Sequence, residues 1–296
     1  MSEFQHTPVL FDEVLEHLDP KSGGVYADVT LGGGGHARAI LERSAPEGRL
    51  VATDRDPSAL DAARAQLAEF ASRVTVRKAR IGELGDVLSS LDIDEVDGIV
   101  ADLGVSSAQL DQAARGFSLA NDGPIDMRMD PTEGETALEL IARCNAEELA
   151  NILYQYGEEY RSRKIARAVL RAHEEGELET TGDLRRAVHR ATGPRRGRID
   201  PSTKTFQALR IAVNDELGEL ESLLESAPAL LKMGGVVAVI SFHSLEDRMV
   251  KHAFRDNAQL SPLTKRPIVA SDEERDRNPR SRSAKLRAAR RVEVTA

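Results

Sequence analysis

Five short runs rich in β-branched residues set the plan of this chain: "VYADVT" (25–30), "RLVAT" (49–53), "VTVR" (74–77), "VDGIVA" (96–101) and "VVAVIS" (236–241). Each has the length of a buried strand, and turn residues border most of them. Helical patterns separate the first three. One runs from His36 to Arg43. The next, "DPSALDAARAQLAEF", starts with Asp56 as N-cap and Pro57 at the first helical position, where a missing N–H costs nothing. Such alternation predicts a parallel sheet covered by helices on both faces.

Between the fourth and fifth runs the alternation stops for about 135 residues. "TALELIARC" opens with a Thr136/Glu139 capping box, and further charged helical patterns follow. The region reads as a helical domain, 126–204, inserted into an α/β domain made of 1–125 and 205–296. The loop "GPRRGRIDPS" (193–202) leads back. Beyond it, "TKTFQALRIAVNDELGELESLLES" predicts one helix with Phe206, Leu209, Val213, Leu217, Leu220 and Leu224 on one face, packed on the sheet. There is no internal repeat. The terminal "NPRSRSAKLRAARR" is polar and basic and is expected to be disordered in isolation.

A single cysteine, Cys144, excludes an internal disulfide and a cysteine-based zinc site, and fits a reducing cytoplasm. The N-terminus lacks the pattern of a signal peptide, and no apolar run is long enough to span a bilayer. The expectation is a cytoplasmic protein without a membrane segment or metal centre. The net charge of −9 argues against a general nucleic-acid coat but leaves room for local basic patches.

Where the first strand passes into a helix stands "DVTLGGGGHARAI" (28–40). Gly32, Gly34 and Ala37 fit a relaxed dinucleotide pattern, a weak signal alone. Asp28 ends the first strand, and Asp54 ends the second about 20 residues after the glycines. An acidic residue there can accept hydrogen bonds from both hydroxyls of a ribose. A pyrophosphate would favour a helix start without competing carboxylates. A sulfonium with an amino-acid tail tolerates Asp28, so S-adenosylmethionine ranks ahead of a dinucleotide. Asp102, in "ADLGVSS", lies at the carboxyl edge of the fourth strand, where an amino methyltransferase needs a polar group.

Longer stretches carry a resemblance: "HTPVL" (6–10), "ATDRDP" (52–57), "DLGVSSAQLD" (102–111), "DGPIDMRMD" (122–130), "YGEE" (156–159), "TKTFQALRIAVNDEL" (203–217), "SFHSLEDR" (241–248) and "NPRSRSAKLR" (278–287). Nearly the whole chain is similar to the bacterial small-subunit (16S) ribosomal RNA cytosine-N4 methyltransferases. The resemblance implies a Rossmann-like class I S-adenosylmethionine-dependent methyltransferase with an inserted helical domain, acting on a cytidine of the decoding region. It implies cofactor contacts from Gly34, Gly35, His36, Asp54, Asp102 and Gln109, with Ile81 where relatives place an aromatic residue near the adenine. The Asp/Asn/Ser-Pro-Pro-aromatic signature of other amino methyltransferases is replaced by "DLGV".

Asp102 or a nearby backbone carbonyl is the candidate for orienting the target amine, with Ser106 and Ser107 as helpers. His243 is a candidate for substrate contact or proton relay, and Ser244 to Asp247 are expected to cap the helix that follows. Three basic clusters offer phosphate contacts: Arg161, Arg163, Lys164, Arg167 and Arg171; Arg195, Arg196 and Arg198; and the arginines and lysine between Arg280 and Arg291. The expected partner is 16S rRNA within the small ribosomal subunit; oligomeric state is left open. Two rivals are a nicotinamide-dependent oxidoreductase and an RNA-binding assembly factor with a vestigial pocket.

Overall fold

A computed structural model describes residues 8–193 and 200–294. In chain order its main elements are α1 (Phe11–Leu18), β1 (Val25–Asp28), α2 (Gly35–Arg43), β2 (Arg49–Asp54), α3 (Pro57–Gln66), β3 (Val74–Lys78), α4 (Leu84–Ser89), β4 (Val96–Asp102), α5 (Ser107–Asp111), α6 (Ala137–Arg143), α7 (Ala146–Gly157), α8 (Ser162–Glu174), α9 (Thr181–Thr192), α10 (Thr203–Asn214), α11 (Glu216–Leu230), β5 (Leu231–Ser241), α12 (Ser244–Asp256), β6 (Leu260–Pro262), α13 (Asp272–Arg277) and β7 (Lys285–Arg291). All five strands expected from the sequence form. Among the described residues no strand lies between β4 and β5.

The strands make one seven-stranded sheet in the order β3-β2-β1-β4-β5-β7-β6. The first five pair in parallel, and β7 runs antiparallel between β5 and β6. The order is that of a doubly wound Rossmann sheet with one antiparallel strand slotted in near the edge. Side chains alternate cleanly between two cores. Tyr26, Leu50, Ala52, Ala238 and Ile240 join α1, α2 and α3 on one face. Ala27, Val51, Ile99, Val237 and Val239 meet Leu84, Leu220, Leu224 and Val250 on the other.

The chain divides into two compact units, Met1–Gly104 with Gly218–Ala296, and Val105–Leu217. These bounds differ from the 126 and 204 read from the sequence. The second unit is helical, with its own core of Leu140, Leu153, Ile165, Val169, Leu184 and Leu209. The Thr136/Glu139 capping box at the start of α6 is present.

Two expectations fail. The single long helix is broken at Asp215, which adopts left-handed angles (φ 50°) between α10 and α11. Asn214 explains the break. Its buried side chain donates to the carbonyls of Met127 (2.7 Å) and Arg210 (2.8 Å) and accepts from the N–H of Met129 (2.8 Å). Phe206 and Leu209 therefore serve the helical core, and Leu220 and Leu224 serve the sheet. The basic C-terminal stretch, expected to be disordered, forms β7. Asp247 of α12 makes this possible: it accepts from Arg287 Nε (2.7 Å) and Lys285 Nζ (3.1 Å). Arg287 is thereby buried without an unpaired charge.

Candidate functional site

The glycine loop hangs between the carboxyl ends of three strands. Thr30, two residues past β1, donates its N–H to Asp28 (3.0 Å) and accepts from the N–H of Asp102 through its hydroxyl (2.6 Å). Gly32 donates its N–H to Asp54 Oδ2 (2.8 Å), whose other oxygen holds the N–H of Asp56 (2.9 Å). Each carboxylate oxygen has two acceptor sites, so Asp54 keeps capacity for ligand hydroxyls.

Individual glycines have different reasons to be there. Gly34 adopts φ +85° as it enters α2, where other residues are strained. A Cβ on Gly35 would collide with the Pro8 ring, whereas one on Gly33 would meet nothing. Helix α2 begins without a side-chain cap. Its first N–H groups thus lack intrahelical acceptors and suit an anionic or carbonyl group.

Carboxyl groups crowd this edge. Burial pushes Asp28 up to about 7, helped by the charge of Asp54 and opposed by the Thr30 N–H. Burial also raises Asp54, against the N–H donors of Asp56 and Gly32. Asp102 is pushed up to about 8 by burial and by the negative charges of Asp28 and Glu246. Its Oδ1 is buried without a hydrogen-bond partner, although 26% of the side chain remains open to solvent, which moderates the displacement. His36 Nε2 lies 3.8 Å from Asp102 Oδ2, with the side chain only 6% exposed. Neither ring nitrogen bonds another side chain, and burial lowers the imidazole to about 4 against the smaller opposing effect of the Val9 backbone. Phe11 stacks beside it, centroids 6.2 Å apart. At neutral pH this edge therefore combines a neutral imidazole with a largely protonated Asp102. An incoming cation would favour the ionised carboxyls.

Other predicted residues are spread more widely. His243, not Ser244, is the N-cap of α12, and Glu246, not Asp247, completes the capping box. Glu246 Oε2 accepts from the N–H groups of Phe242 and His243, and His243 Nε2 lies 3.0 Å from its Oε1. Ile81 opens a short 3-10 turn after β3 and packs partly on the sheet core. In the helical unit, Ser106 and Gln109 form a reciprocal cap at the start of α5, and Gln109 is buried. Thr30 and Glu246 were missed. The sequence signal for Glu246 was "HSLE", a capping box shifted one residue earlier because histidine is an unusual cap. Of the basic clusters, Arg195, Arg196 and Arg198 fall outside the described residues. Lys285 and Arg287 are paired with Asp247, and Arg291 with Glu95. The α8 basic residues are exposed.

Acceptors lined along one sheet edge suit a nucleoside but do not by themselves choose between a hydride carrier and a methyl donor. Comparison with known proteins does. Residues 3–292 match the model of the MraW methylase family. The chain belongs to that family. It is 57% identical to ribosomal RNA small subunit methyltransferase H of Sorangium cellulosum, over 97% of this chain and 91% of that protein. Identity to the protein of the same name is 50% in Geobacter sulfurreducens, covering 98% and 99% of the two chains. In Cyanothece sp. it is 52%, covering 99% and 96%. Membership bears out the resemblance read from the motifs and removes hydride transfer from consideration. Among the described residues no helix is long and apolar enough to cross a membrane.

Proposed function

We propose that this protein transfers a methyl group from S-adenosylmethionine to the N4 amine of a cytidine in the decoding region of 16S rRNA. The observation that carries this reading is Asp102: a carboxyl at the sheet's carboxyl edge, one oxygen buried and unpartnered, beside a neutral His36. Family membership supplies the reaction class, and the names of the relatives supply the substrate class.

The bound donor supplies an electrophilic methyl group on a sulfonium. In this reading the first-turn N–H groups at Gly35 and His36 would hold its amino-acid tail, while Gly34, whose own N–H goes to the Leu31 carbonyl (2.7 Å), would shape the backbone against it. Asp54 accepts from the ribose hydroxyls, and Ile81 packs on the adenine. Gln109 is a further contact. The buried carboxyls suit that ligand because its positive charge would stabilise their ionised forms, whereas a pyrophosphate would only raise them further.

The exocyclic amine of cytosine is a poor nucleophile because its lone pair is delocalised into the ring. Asp102 would accept a hydrogen bond from that amine, turn its lone pair toward the methyl carbon and stabilise the positive charge growing on nitrogen; as the nitrogen–carbon bond forms the carbon–sulfur bond breaks, S-adenosylhomocysteine leaves, and the amine proton is lost to ionised Asp102 or water. Beside a cation, Asp102 is held in its ionised form. His243, held at the start of α12, is proposed as a positioning residue on the same sheet edge. Phosphate contacts of the α8 cations add affinity, and local RNA shape supplies specificity beyond the base.

The test is to incubate the protein with labelled S-adenosylmethionine and small subunits lacking the modification, then map the methylated base by mass spectrometry. Label on N4 of one 16S rRNA cytidine is expected. Label confined to protein, DNA or another base overturns the reading, and full turnover by Asp102→Asn overturns the role of Asp102.

A further inference from the structure

Tyr160 is the most exposed large hydrophobic side chain among the described residues, with 86% of its surface open. Its backbone is nonetheless firmly held. Helix α7 ends at Glu158 in left-handed conformation (φ 48°), with its N–H returned to the Leu153 carbonyl. Glu159 uses its carboxylate to accept from the N–H of Arg161 (2.8 Å). Lys204 at the start of α10 donates to the Glu158 carbonyl (2.8 Å), and the same ammonium sits 5.6 Å from the Tyr160 ring centroid. Gln207 ties the carbonyl of Tyr156 (2.9 Å), and Arg161 reaches the carbonyl of Thr192 (3.0 Å).

An aromatic ring thus stands in water on a rigid frame, with a cation against it. Its surroundings are charged. Helix α8 buries Ser162, Ile165, Ala166 and Val169, and so turns Arg163, Lys164 and Arg167 outward. Arg161, Arg163, Lys164 and Lys204 outnumber the neighbouring Glu158 and Glu159. A protein partner would favour a contiguous apolar patch. A lone ring among cations suits a nucleotide, whose base has a π-face and whose phosphates are anionic.

We infer that Tyr160 is a stacking platform for one unpaired base of the RNA substrate, with Arg163, Lys164 and Lys204 on the flanking phosphates. This contact is additional to the cytidine that receives the methyl group, and it rests on the functional reading above for the identity of the RNA. Its role is affinity, so the chemical step should not depend on it.

The chain contains no tryptophan, so Tyr160→Trp introduces a unique fluorophore that can still stack. Titration of this variant with unmodified small subunits and with naked 16S rRNA should quench its emission, with affinity near wild type. Tyr160→Ala, with folding checked by thermal melt, should raise the KM for RNA roughly 5–150-fold at unchanged kcat and unchanged S-adenosylhomocysteine affinity. A KM within twofold of wild type, or no quenching of the tryptophan variant, overturns the inference. Quenching by small subunits but not by naked rRNA overturns it in favour of a protein contact. Should the wild type fail to methylate rRNA, the functional reading falls, while the fluorescence titration still decides whether RNA stacks here.

Discussion

The imidazole of His36 stands 3.8 Å from the carboxyl of Asp102, too far for a hydrogen bond between them. The contact is between two groups that burial holds uncharged, and it resembles an ion pair only in its partners. Burial lowers His36 to about 4, below the ordinary value near 6.5. The unfolded chain therefore takes up this proton first, and stability contributed by the neutral ring is lost as pH falls from about 6.5 to about 4. The loss is expected to be on the order of 2–3 kcal/mol. Denaturant unfolding of wild type and His36→Asn at pH 7 and pH 4.5 measures it: the variant should lack the His36 part of the slope. Ring titration by NMR should find this imidazole neutral at pH 5.5.

Asp102 titrates with the opposite sign. Its folded value, about 8, exceeds that of the unfolded chain, so the stability this group contributes is fully present below about 4 and is lost as pH rises from there to about 8. Asp102→Asn should stabilise the ligand-free protein at pH 8.5 by about 1–2 kcal/mol, a rise in Tm of roughly 2–4 °C per kcal/mol, with a smaller gain at pH 5 and none below about pH 4. In the proposed reaction the same variant should lose about 10²–10³-fold in kcat. Thermal melts at the two pH values and single-turnover assays check the two halves.

Neighbouring glycines give a second test. A Cβ at Gly33 meets nothing in the folded chain, whereas one at Gly35 strikes Pro8. Gly33→Ala should keep its stability within about 0.5 kcal/mol, and if the donor lies over this loop as proposed it should lose cofactor affinity about tenfold, roughly 1.4 kcal/mol. Gly35→Ala should cost about 1–3 kcal/mol of stability from overpacking. Calorimetric titration with S-adenosylhomocysteine, alongside urea unfolding, separates the two effects.

The Asp247–Arg287 pair anchors β7 to α12 with both side chains largely buried. Arg287 and Lys285 hold Asp247 below the usual carboxylate range against the opposing effect of burial. Arg287→Ala leaves Asp247 with only the more exposed Lys285 and should cost about 3 kcal/mol. Adding Asp247→Asn should recover part of that loss, and a double-mutant cycle by denaturant unfolding reads the coupling.

What could be read from the sequence depended on how local each cause was. The five parallel strands were legible because β-branched runs mark buried strands. Asp28 and Asp54 were legible because each ends such a run. Strand β7 was not, since "KLRAARR" has only Leu286 and small alanines to bury and depends on Asp247, 38 residues before Lys285. The break between α10 and α11 was hidden because the apolar spacing continues through it. Only Asn214, bonded to a loop 87 residues away, reveals why the helix stops. Thr30 and Glu246 escaped for a similar reason: their importance lies in which strand ends and helix starts they join.

The position of β5 in the chain also has a consequence during synthesis. Strand β4 ends at Asp102, and its sheet neighbour β5 begins only at Leu231. At a translation rate of about 5–20 residues per second, the nascent β4 edge waits roughly 6–26 s for its partner. The half-made sheet is thus a candidate for chaperone capture or edge-to-edge association, and its exposure grows whenever translation of the helical unit slows.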